Sequence, residues 1–185
     1  MAMCNGEKNL VMLKKVAIVG PEASGKTRLA YELAQHYRSV FAKEFAREYL
    51  QNIGLSYKKD DLLKIAVGQL NAEDEAIKEA SGLVFFDTNL LVIKIWSLYK
   101  YGKVDQRIVQ LHHSRAYNLH LLLKPDLIYE EDPLRENPSI EDRMELFELY
   151  KKELKENGDE FAVVEGSGKN RLKAALKILD SKFKS

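Results

Sequence analysis

The sequence predicts a three-layer α/β/α fold, in which helices cover both faces of a parallel sheet of five strands. Two observations support this prediction. Short apolar runs of strand length alternate with longer segments of helical periodicity, and each interval between the runs has room for a helical crossover. The chain has 185 residues, enough for one domain with a substantial core.

Five segments are predicted to be strands. Four are short and mostly apolar, as expected for strands covered on both faces, and one is weaker. The predicted strands are residues 16–19, 40–42 (the weaker one), 83–86, 119–123 and 161–164. Because the strands alternate with helices at this spacing, we expect right-handed crossovers and a parallel sheet.

Helical patterns fill the intervals between these strands. Apolar residues recur every three or four positions in residues 28–37, 62–70, 144–154 and 172–183. The segment NLLVIKIWSLYKYG, residues 89–102, is apolar nearly all round and predicts a buried helix that ends near Gly102. In this fold class ligands bind beyond the carboxyl ends of the strands, so the polar residues there are the candidates for a site.

The composition argues against some functions. Lys and Arg number 29 against 28 Asp and Glu, and a net charge of +1 gives no broad surface for nucleic acid or an anionic membrane. Cys4 is the only cysteine, so an internal disulfide is excluded. No signal peptide or membrane-length apolar run is recognisable. We expect a cytoplasmic protein with a flexible extension at residues 1–14 and a single domain at 15–183.

The first predicted strand is followed by GPEASGKT, residues 20–27, which matches the phosphate-binding pattern G-x-x-x-x-G-K-[ST]. The glycines allow backbone N–H groups to surround phosphate oxygens, Lys26 reaches the β- and γ-phosphates, and Thr27 can bind Mg²⁺. Ser24 offers a further phosphate contact. A chance glycine turn would not explain Lys26 and Thr27 together between a strand and a helix. The pattern therefore predicts a P-loop that binds a nucleoside triphosphate.

The remaining sequence favours a small kinase among P-loop proteins. The guanine-reading motif N/T-K-x-D of GTPases is absent, and a large motor or AAA-type ATPase would need more chain. A small kinase holds Mg·ATP on the P-loop, orients an acceptor hydroxyl with a carboxylate, and closes a basic lid over the transferring phosphoryl group. ATP and Mg²⁺ are therefore the expected cofactors.

Asp87 ends the apolar strand LVFFD, where an aspartate can hold Mg²⁺ or its water beside the P-loop. The alternative is that Asp87 caps the helix that follows. Thr88 or Asn89 can serve as that cap instead, so we favour a metal or catalytic role for Asp87.

The connection at residues 124–143, with three of the four prolines, is predicted to be a lid. Arg135 lies in the loop proper and is the preferred residue to meet the γ-phosphate, while Asp132 could anchor the lid. Arg143 is a second candidate, although it could equally be a surface charge of the following helix, where Ser139 begins a capping pattern. The later segment EGSG, 165–168, lies where small kinases often place the backbone against adenine.

Four other residues are candidates for an acceptor site. Glu44 and Arg47 follow the weak second strand, Arg47 opening the next helix, and a solvated helix face is their alternative interpretation. Gln69 lies in a buried helical pattern and needs a hydrogen-bond partner, which could be a substrate amide or base edge. Trp96 belongs either to the core or to an aromatic platform for a base. The four histidines show no metal-binding spacing.

Several motifs together carry a family resemblance. In order, GPEASGKT, EFAREYL, IAVGQ, FFDTN, DPLRENP and LFELYKKEL resemble the ribosylnicotinamide kinase domain of NadR-type proteins, an AAA-like small kinase, over residues 15–179. The resemblance implies an ATP-dependent kinase that phosphorylates the 5′-hydroxyl of nicotinamide riboside. Larger members add an adenylyltransferase and often a helix-turn-helix domain, for which this sequence has no room. A DNA-binding role is therefore not expected.

The resemblance and the residue patterns together give a candidate site. The predicted catalytic residues are Lys26, Glu44, Asp87 and Arg135, with Thr27 and Asp87 at the metal. The predicted nucleotide-binding residues are Gly20, Glu22, Ala23, Ser24, Gly25, Lys26, Thr27, Arg28, Arg143, Gly166 and Ser167. The predicted substrate-binding residues are Glu44, Arg47, Gln69, Asp87, Asn89, Trp96 and Tyr129, the last standing where the family has Trp. Whether Glu44 or Asp87 is the base stays open.

The expected partner is a small nucleoside, rather than nucleic acid or a membrane. Two alternatives to nicotinamide riboside phosphorylation are kept. One is a kinase of another nucleoside or small hydroxyl compound, and the other is a regulatory module that binds or hydrolyses ATP without an acceptor.

Overall fold

The structure, a computed structural model, describes residues 12–54 and 56–184. Within these residues, five parallel strands form one sheet in the order β2-β3-β1-β4-β5. The strands are β1 (Lys14–Val19), β2 (Phe41–Ala42), β3 (Leu83–Asp87), β4 (Leu119–Leu123) and β5 (Phe161–Val164). The predicted parallel five-stranded sheet is therefore confirmed.

Seven helices connect and cover the strands in the described part of the chain. They are α1 (Lys26–Tyr37), α2 (Phe45–Ile53), α3 (Asp61–Glu79), α4 (Leu90–Tyr101), α5 (Gln106–His113), α6 (Ile140–Glu156) and α7 (Gly168–Phe183). The α5 helix was not predicted from the sequence, because its eight residues make little more than two turns of periodic pattern. The predicted extension at residues 1–14 lies mostly outside the described residues, and β1 already begins at Lys14.

The sheet is covered on both faces by helices, which explains why its strands are mostly apolar. Phe85 and Phe86 illustrate this arrangement, since these neighbours in β3 are fully buried in different clusters. Phe85 packs with residues of α1 and α7, and Phe86 packs with residues of α3. The α4 and α6 helices complete the second layer through Leu91, Ile95 and Leu154. Burying each such side chain contributes about 1.5–3 kcal/mol to folding.

The order of the strands brings the predicted strand-end residues to one edge of the sheet. β1 lies between β3 and β4, with Ile18 paired to Asp87 and Val19 paired to Leu122. Gly20 follows at a close approach between β1 and β4, because a Cβ atom there would lie 2.7 Å from the Leu123 carbonyl oxygen. Only glycine fits this position, which also has a φ of 139°. The P-loop therefore starts beside the end of β3.

A separate apolar cluster joins α2, α3, α4 and α5 beside this edge. Gly68 of α3 is part of the same arrangement, because a Cβ there would lie 2.1 Å from the ring of Phe45 at the start of α2. Helix α2 is thus seated directly on α3. No helix among the described residues is long and apolar enough to cross a membrane.

Candidate active site

A cavity of about 870 Å³ lies at the carboxyl ends of the strands, where the sequence predicted a site. The P-loop, the first turns of α2 and α7, the inner side of α4 and the lid segment, residues 124–139 between β4 and α6, all contribute to its wall. Thirteen of the predicted residues line the cavity: Gly20, Glu22, Ala23, Ser24, Gly25, Lys26, Thr27, Arg28, Glu44, Arg47, Trp96, Arg135 and Ser167. One cavity therefore reaches both the P-loop and the candidate acceptor residues.

The P-loop has the backbone geometry of an anion-binding turn. Gly25 is the N-cap of α1 with a φ of 82°, and Ala23 also has a positive φ of 55°. The Ser24 hydroxyl donates to the Pro21 carbonyl at 2.6 Å, which closes the turn. Because Gly25 has no side chain to cap α1, the first N–H groups of the helix are available to phosphate oxygens.

Lys26 is held by backbone carbonyl groups of its own loop. Its Nζ donates to the carbonyl oxygens of Gly20 at 3.0 Å and Pro21 at 2.9 Å. These contacts keep the ammonium group at the rim of the turn, from which it can move to a phosphate. Arg28, in the first turn of α1, is exposed, and its Nε lies 3.0 Å from Glu32 Oε1.

Asp87 is fully buried below the cavity wall, at the end of β3. Neither of its carboxylate oxygens has a hydrogen-bond partner within the described residues. Burial first and the nearby Glu44 carboxylate second raise the pKa of Asp87 to about 6, although Thr27, Lys26 and Arg47 act in the opposite direction. An orphaned buried carboxylate next to the Thr27 hydroxyl is the donor set that Mg²⁺ uses beside nucleotide phosphates.

The two residues after Asp87 are structural. Thr88 has a φ of 70°, and its N–H donates to the Ile18 carbonyl at 3.1 Å, which fixes the sharp turn out of β3. Asn89 caps α4 by accepting from the Leu91 N–H at 3.1 Å, and its Nδ2 lies 3.2 Å from His120 Nε2. Asn89 is fully buried and does not line the cavity, so the structure assigns it to capping rather than to the predicted substrate contact.

Glu44 and Arg47 lie together at the start of α2. Glu44 is the N-cap of this helix, yet its side chain makes no capping hydrogen bond. The residue lines the cavity instead. Arg47 donates from Nη2 to Asp132 Oδ2 of the lid segment at 2.7 Å. This hydrogen bond raises the pKa of Arg47, with smaller contributions from Glu44 and Asp87. Arg47 thus joins the acceptor side of the cavity to the lid, and Asp132 anchors the lid as predicted.

Gln69 has a different partner from the one predicted. Its Oε1 accepts from the Phe45 N–H at 3.0 Å, and the side chain is buried away from the cavity. Gln69 therefore supplies from α3 the cap that Glu44 does not give to α2. The Nε2 of Gln69 has no hydrogen-bond partner within the described residues, and the expected substrate contact stays a prediction.

Trp96 lines the cavity from α4 and belongs to a polar and aromatic cluster. Its Nε1 donates to the Tyr57 hydroxyl at 2.7 Å, and the two ring centroids are 4.8 Å apart. The same hydroxyl donates to Glu136 of the lid at 2.9 Å and accepts from Lys100 at 2.6 Å. Trp96 is thereby fixed in orientation at the acceptor end of the cavity.

The lid segment carries Arg135 at the cavity, whereas Arg143 and Tyr129 do not line it. Arg143 lies in α6 and is 4% exposed, with its Nε donating to Ser139 O at 3.3 Å. Its guanidinium stacks 5.4 Å from the Tyr129 ring, which Arg135 also approaches at 5.8 Å. Arg143 and Tyr129 thus contact the lid segment, and the nucleotide contact of Arg143 and the substrate contact of Tyr129 stay predictions.

Two predicted nucleotide-binding residues, Glu22 of the P-loop and Gly166 of the β5–α7 loop, have partners that the sequence did not suggest. Glu22 accepts from the backbone N–H groups of Glu136, at 3.0 Å, and Asn137, so it holds the lid rather than a phosphate. Gly166 donates its N–H to Asp126 Oδ2 at 2.7 Å and does not line the cavity. No local sequence pattern marks Arg171 of α7, a buried residue that also lines the cavity.

The fold and the site together define an α/β P-loop protein, and solved nucleoside and nucleotide kinases share its fold. The chain belongs to the family described as an AAA domain, which matches residues 15–171. The trifunctional NAD biosynthesis/regulator protein NadR of Escherichia coli (strain K12) is 31% identical over 159 residues, covering 83% of this chain. The match covers 38% of that relative, so the chain spans well under half of its length. The predicted resemblance to NadR-type proteins is confirmed.

Solved structures share the fold over nearly the whole chain. A crystal structure of NadR protein in complex with NR has a TM-score of 0.79 and 24% identity, and covers 93% of this chain and 52% of that one. A deoxyadenosine kinase from M. mycoides has a TM-score of 0.60 and 19% identity, and covers 90% of this chain and 98% of that one. The second of these chains matches over almost its full length.

Proposed function

We propose that this protein is an ATP-dependent kinase that phosphorylates the 5′-hydroxyl of nicotinamide riboside. The observation that carries the proposal is a single cavity that joins a P-loop to a second pocket containing Glu44, Arg47 and Trp96. A protein that only binds or hydrolyses ATP has no need for this second pocket. The similarity to NadR, including a structure in complex with NR, supports the choice of acceptor.

At the donor end, the P-loop binds the triphosphate. Backbone N–H groups at the start of α1 surround the β-phosphate, and the Lys26 ammonium moves from its carbonyl partners to the β- and γ-phosphates. Thr27 and Asp87 fit Mg²⁺, because a hydroxyl and an unpartnered buried carboxylate lie next to the phosphate position. When bound, Mg²⁺ neutralises charge on the transferring phosphoryl group.

At the acceptor end, Glu44 positions the hydroxyl that attacks. Its carboxylate reaches the cavity and is released from helix capping by Gln69, whereas Asp87 is buried below the wall. This contrast favours Glu44 as the base and Asp87 as the metal-binding carboxylate. The 5′-oxygen forms a bond to the γ-phosphorus as the bond to the β–γ bridging oxygen breaks. The hydroxyl proton passes to Glu44, and ADP leaves.

The lid excludes water and stabilises the transferred group. Arg135 is the arginine of the lid segment that lines the cavity, and it balances charge on the equatorial phosphoryl oxygens. Arg47 holds the lid through Asp132 and can hold the ribose of the acceptor from the same position. Trp96, fixed by Tyr57, offers a flat surface to the base of the nucleoside.

The proposal is tested by measuring ADP production from Mg·ATP with and without a panel of nucleosides that includes nicotinamide riboside. We expect nicotinamide riboside to stimulate ADP production and to yield nicotinamide mononucleotide, identified by mass. Stimulation by a different nucleoside would replace the proposed acceptor. Turnover that no acceptor changes would contradict the kinase assignment.

The base assignment needs a second measurement. We expect Glu44→Gln to lower kcat by about 10²- to 10⁴-fold while leaving the binding of ATP nearly unchanged. If acceptor phosphorylation were untouched in Glu44→Gln, the base role would pass to Asp87.

A further inference from the structure

Arg171, in the first turn of α7, is a buried cation that binds three separate segments around the donor end of the cavity. It is 4% exposed. Its Nε donates to the Gly166 carbonyl at 2.6 Å, and its Nη2 donates to the Lys124 carbonyl at 3.2 Å. Nη1 donates to the Ser24 carbonyl, and Nη2 also donates to Asp126 Oδ1. These four hydrogen bonds occupy four of the five N–H donors of a guanidinium.

The partners of Arg171 all belong to loops at the carboxyl edge of the sheet. Ser24 is part of the P-loop, Lys124 and Asp126 follow β4, and Gly166 follows β5. Asp126 adds to the connection, because its second oxygen accepts from the Gly166 N–H at 2.7 Å. Both backbone polar groups of Gly166 are therefore fixed by one ion pair. The P-loop and the β5–α7 loop both line the cavity, and Arg171 binds both of them.

A simple packing role does not account for this arrangement. Burying a guanidinium costs free energy unless it is fully paired, and an apolar residue would hold α7 to the sheet without that cost. The buried apolar residues of α7, Ala175 and Leu179, already do so in the core. Arg171 instead contacts backbone carbonyls in loops, and together with Ser167 and Gly168 it lines the cavity itself.

We propose that Arg171 is a positioning residue for the donor nucleotide. It fixes the distance between the P-loop and the β5–α7 loop, and a bound nucleoside triphosphate spans that distance. The inference rests on the proposed function only in that the cavity accepts a nucleoside triphosphate. The planar fork of arginine is required, since its four bonds diverge to three segments. Donor affinity therefore depends on Arg171, whereas acceptor affinity does not.

The test measures binding of Mg²⁺ with a non-hydrolysable ATP analogue to the full 185-residue chain by calorimetry. We expect Arg171→Met to raise the Kd of the analogue about tenfold or more, and Arg171→Lys to raise it by an intermediate factor. The Kd of nicotinamide riboside should change less than about twofold in both variants. Lys173→Met, on an exposed position of the same helix, is the matched control and should bind the analogue as the wild type does.

Two outcomes would overturn the inference. One is an analogue Kd within about twofold of wild type in Arg171→Met. The other is an equal loss for both ligands together with a lower Tm, which is the signature of a structural residue alone. If Arg171→Met does not fold, Arg171→Lys decides the matter by the same criterion. The Kd of the analogue is measured without an acceptor, so this arm of the test does not depend on the choice of nucleoside. Wild type that binds the analogue without phosphorylating any nucleoside would refute only the proposed function.

Discussion

The donor end and the lid of the cavity are held by different kinds of interaction. At the donor end, Arg171 is 4% exposed and its partners are mostly backbone carbonyls. At the lid, the ion pair of Arg47 and Asp132 joins side chains that are 43% and 18% exposed, and Lys100 and Glu136 are 35% and 39% exposed. The donor end is held by a buried arginine, whereas the lid is held by ion pairs whose cations are more exposed to water.

This difference indicates which part of the site moves. Exposed ion pairs contribute about 0–1 kcal/mol each, so a few of them can break and reform during a catalytic cycle. Removing one partner from a buried network leaves uncompensated polar groups and costs about 3–5 kcal/mol. We therefore expect a preformed donor site and a lid that opens and closes.

The strongest test of the preformed donor site is Lys26→Ala. Lys26 is the P-loop ammonium nearest the phosphates, and its loss removes charge stabilisation in the transition state. We expect kcat to fall by about a thousandfold or more, measured as nucleoside-dependent ADP release. Lys177→Met, an exposed charge on α7, is the control. A near-wild-type rate in Lys26→Ala would contradict the P-loop mechanism.

Asp87→Asn should lower activity and raise stability at the same time. Removing the carboxylate removes the proposed metal-binding group, so we expect kcat to fall about a hundredfold or more. The folded protein also loses a buried, unpartnered charge. Equal stability of the variant and the wild type at pH 8 would show that burying the Asp87 carboxylate does not destabilise the fold.

The stability gain should depend on pH with a defined sign. The pKa of Asp87 is raised to about 6 from an unfolded value of 3.8. Its contribution to stability is therefore fully present below about pH 4 and is lost as pH rises through about 6. We expect the free energy of unfolding of Asp87→Asn to exceed that of wild type by on the order of 2 kcal/mol at pH 8, and by less at pH 5. Denaturant titrations at both pH values measure the difference.

Buried Glu73 does not confuse this comparison. Its pKa is raised to about 7, mainly by burial, and its effect on stability has the same sign as that of Asp87. Because Glu73 is present in both proteins, its contribution cancels in the difference between variant and wild type.

The sequence was sufficient for the fold and for the P-loop because both depend on local patterns. Strand-length apolar runs, helical periods and a motif of eight residues all lie close together in the chain. Asp87 was found for the same reason, since it directly follows an apolar run. Asn89 was recognised as an alternative cap from its position alone.

The sequence was insufficient where a side chain has partners far away in the chain. Arg171 binds Ser24 across 147 positions and Asp126 across 45, and no local pattern distinguishes it from a surface arginine. Gln69 was recognised as a buried amide that needs a partner, but its partner is Phe45, 24 residues earlier. Such partners are brought together by the packing of helices, and the periodicity of the sequence does not reveal how the helices pack.

Gln69→Leu tests whether the acceptor side is as rigid as the donor side. The variant loses the cap that α3 gives to the Phe45 N–H, so Glu44 is expected to turn back and cap α2 itself. We expect kcat to fall about tenfold with little change in the KM for ATP. Asn71→Ala, at an exposed position of α3, is the control. A larger effect on the KM for ATP than on kcat would place Gln69 with the donor site instead.

Glu136→Gln should have the smallest effect and tests the mobile character of the lid directly. The substitution removes the ion pair with Lys100 but keeps the backbone N–H that Glu22 binds and an oxygen that Tyr57 can reach. We expect the KM for the nucleoside to rise about twofold at low salt, with the difference from wild type vanishing at high salt, because water and ions screen this pair. Steady-state kinetics at two salt concentrations measure it. A salt-independent loss of more than about tenfold would mean that the lid is held by buried bonds, as the donor end is, and the contrast between the two ends would no longer hold.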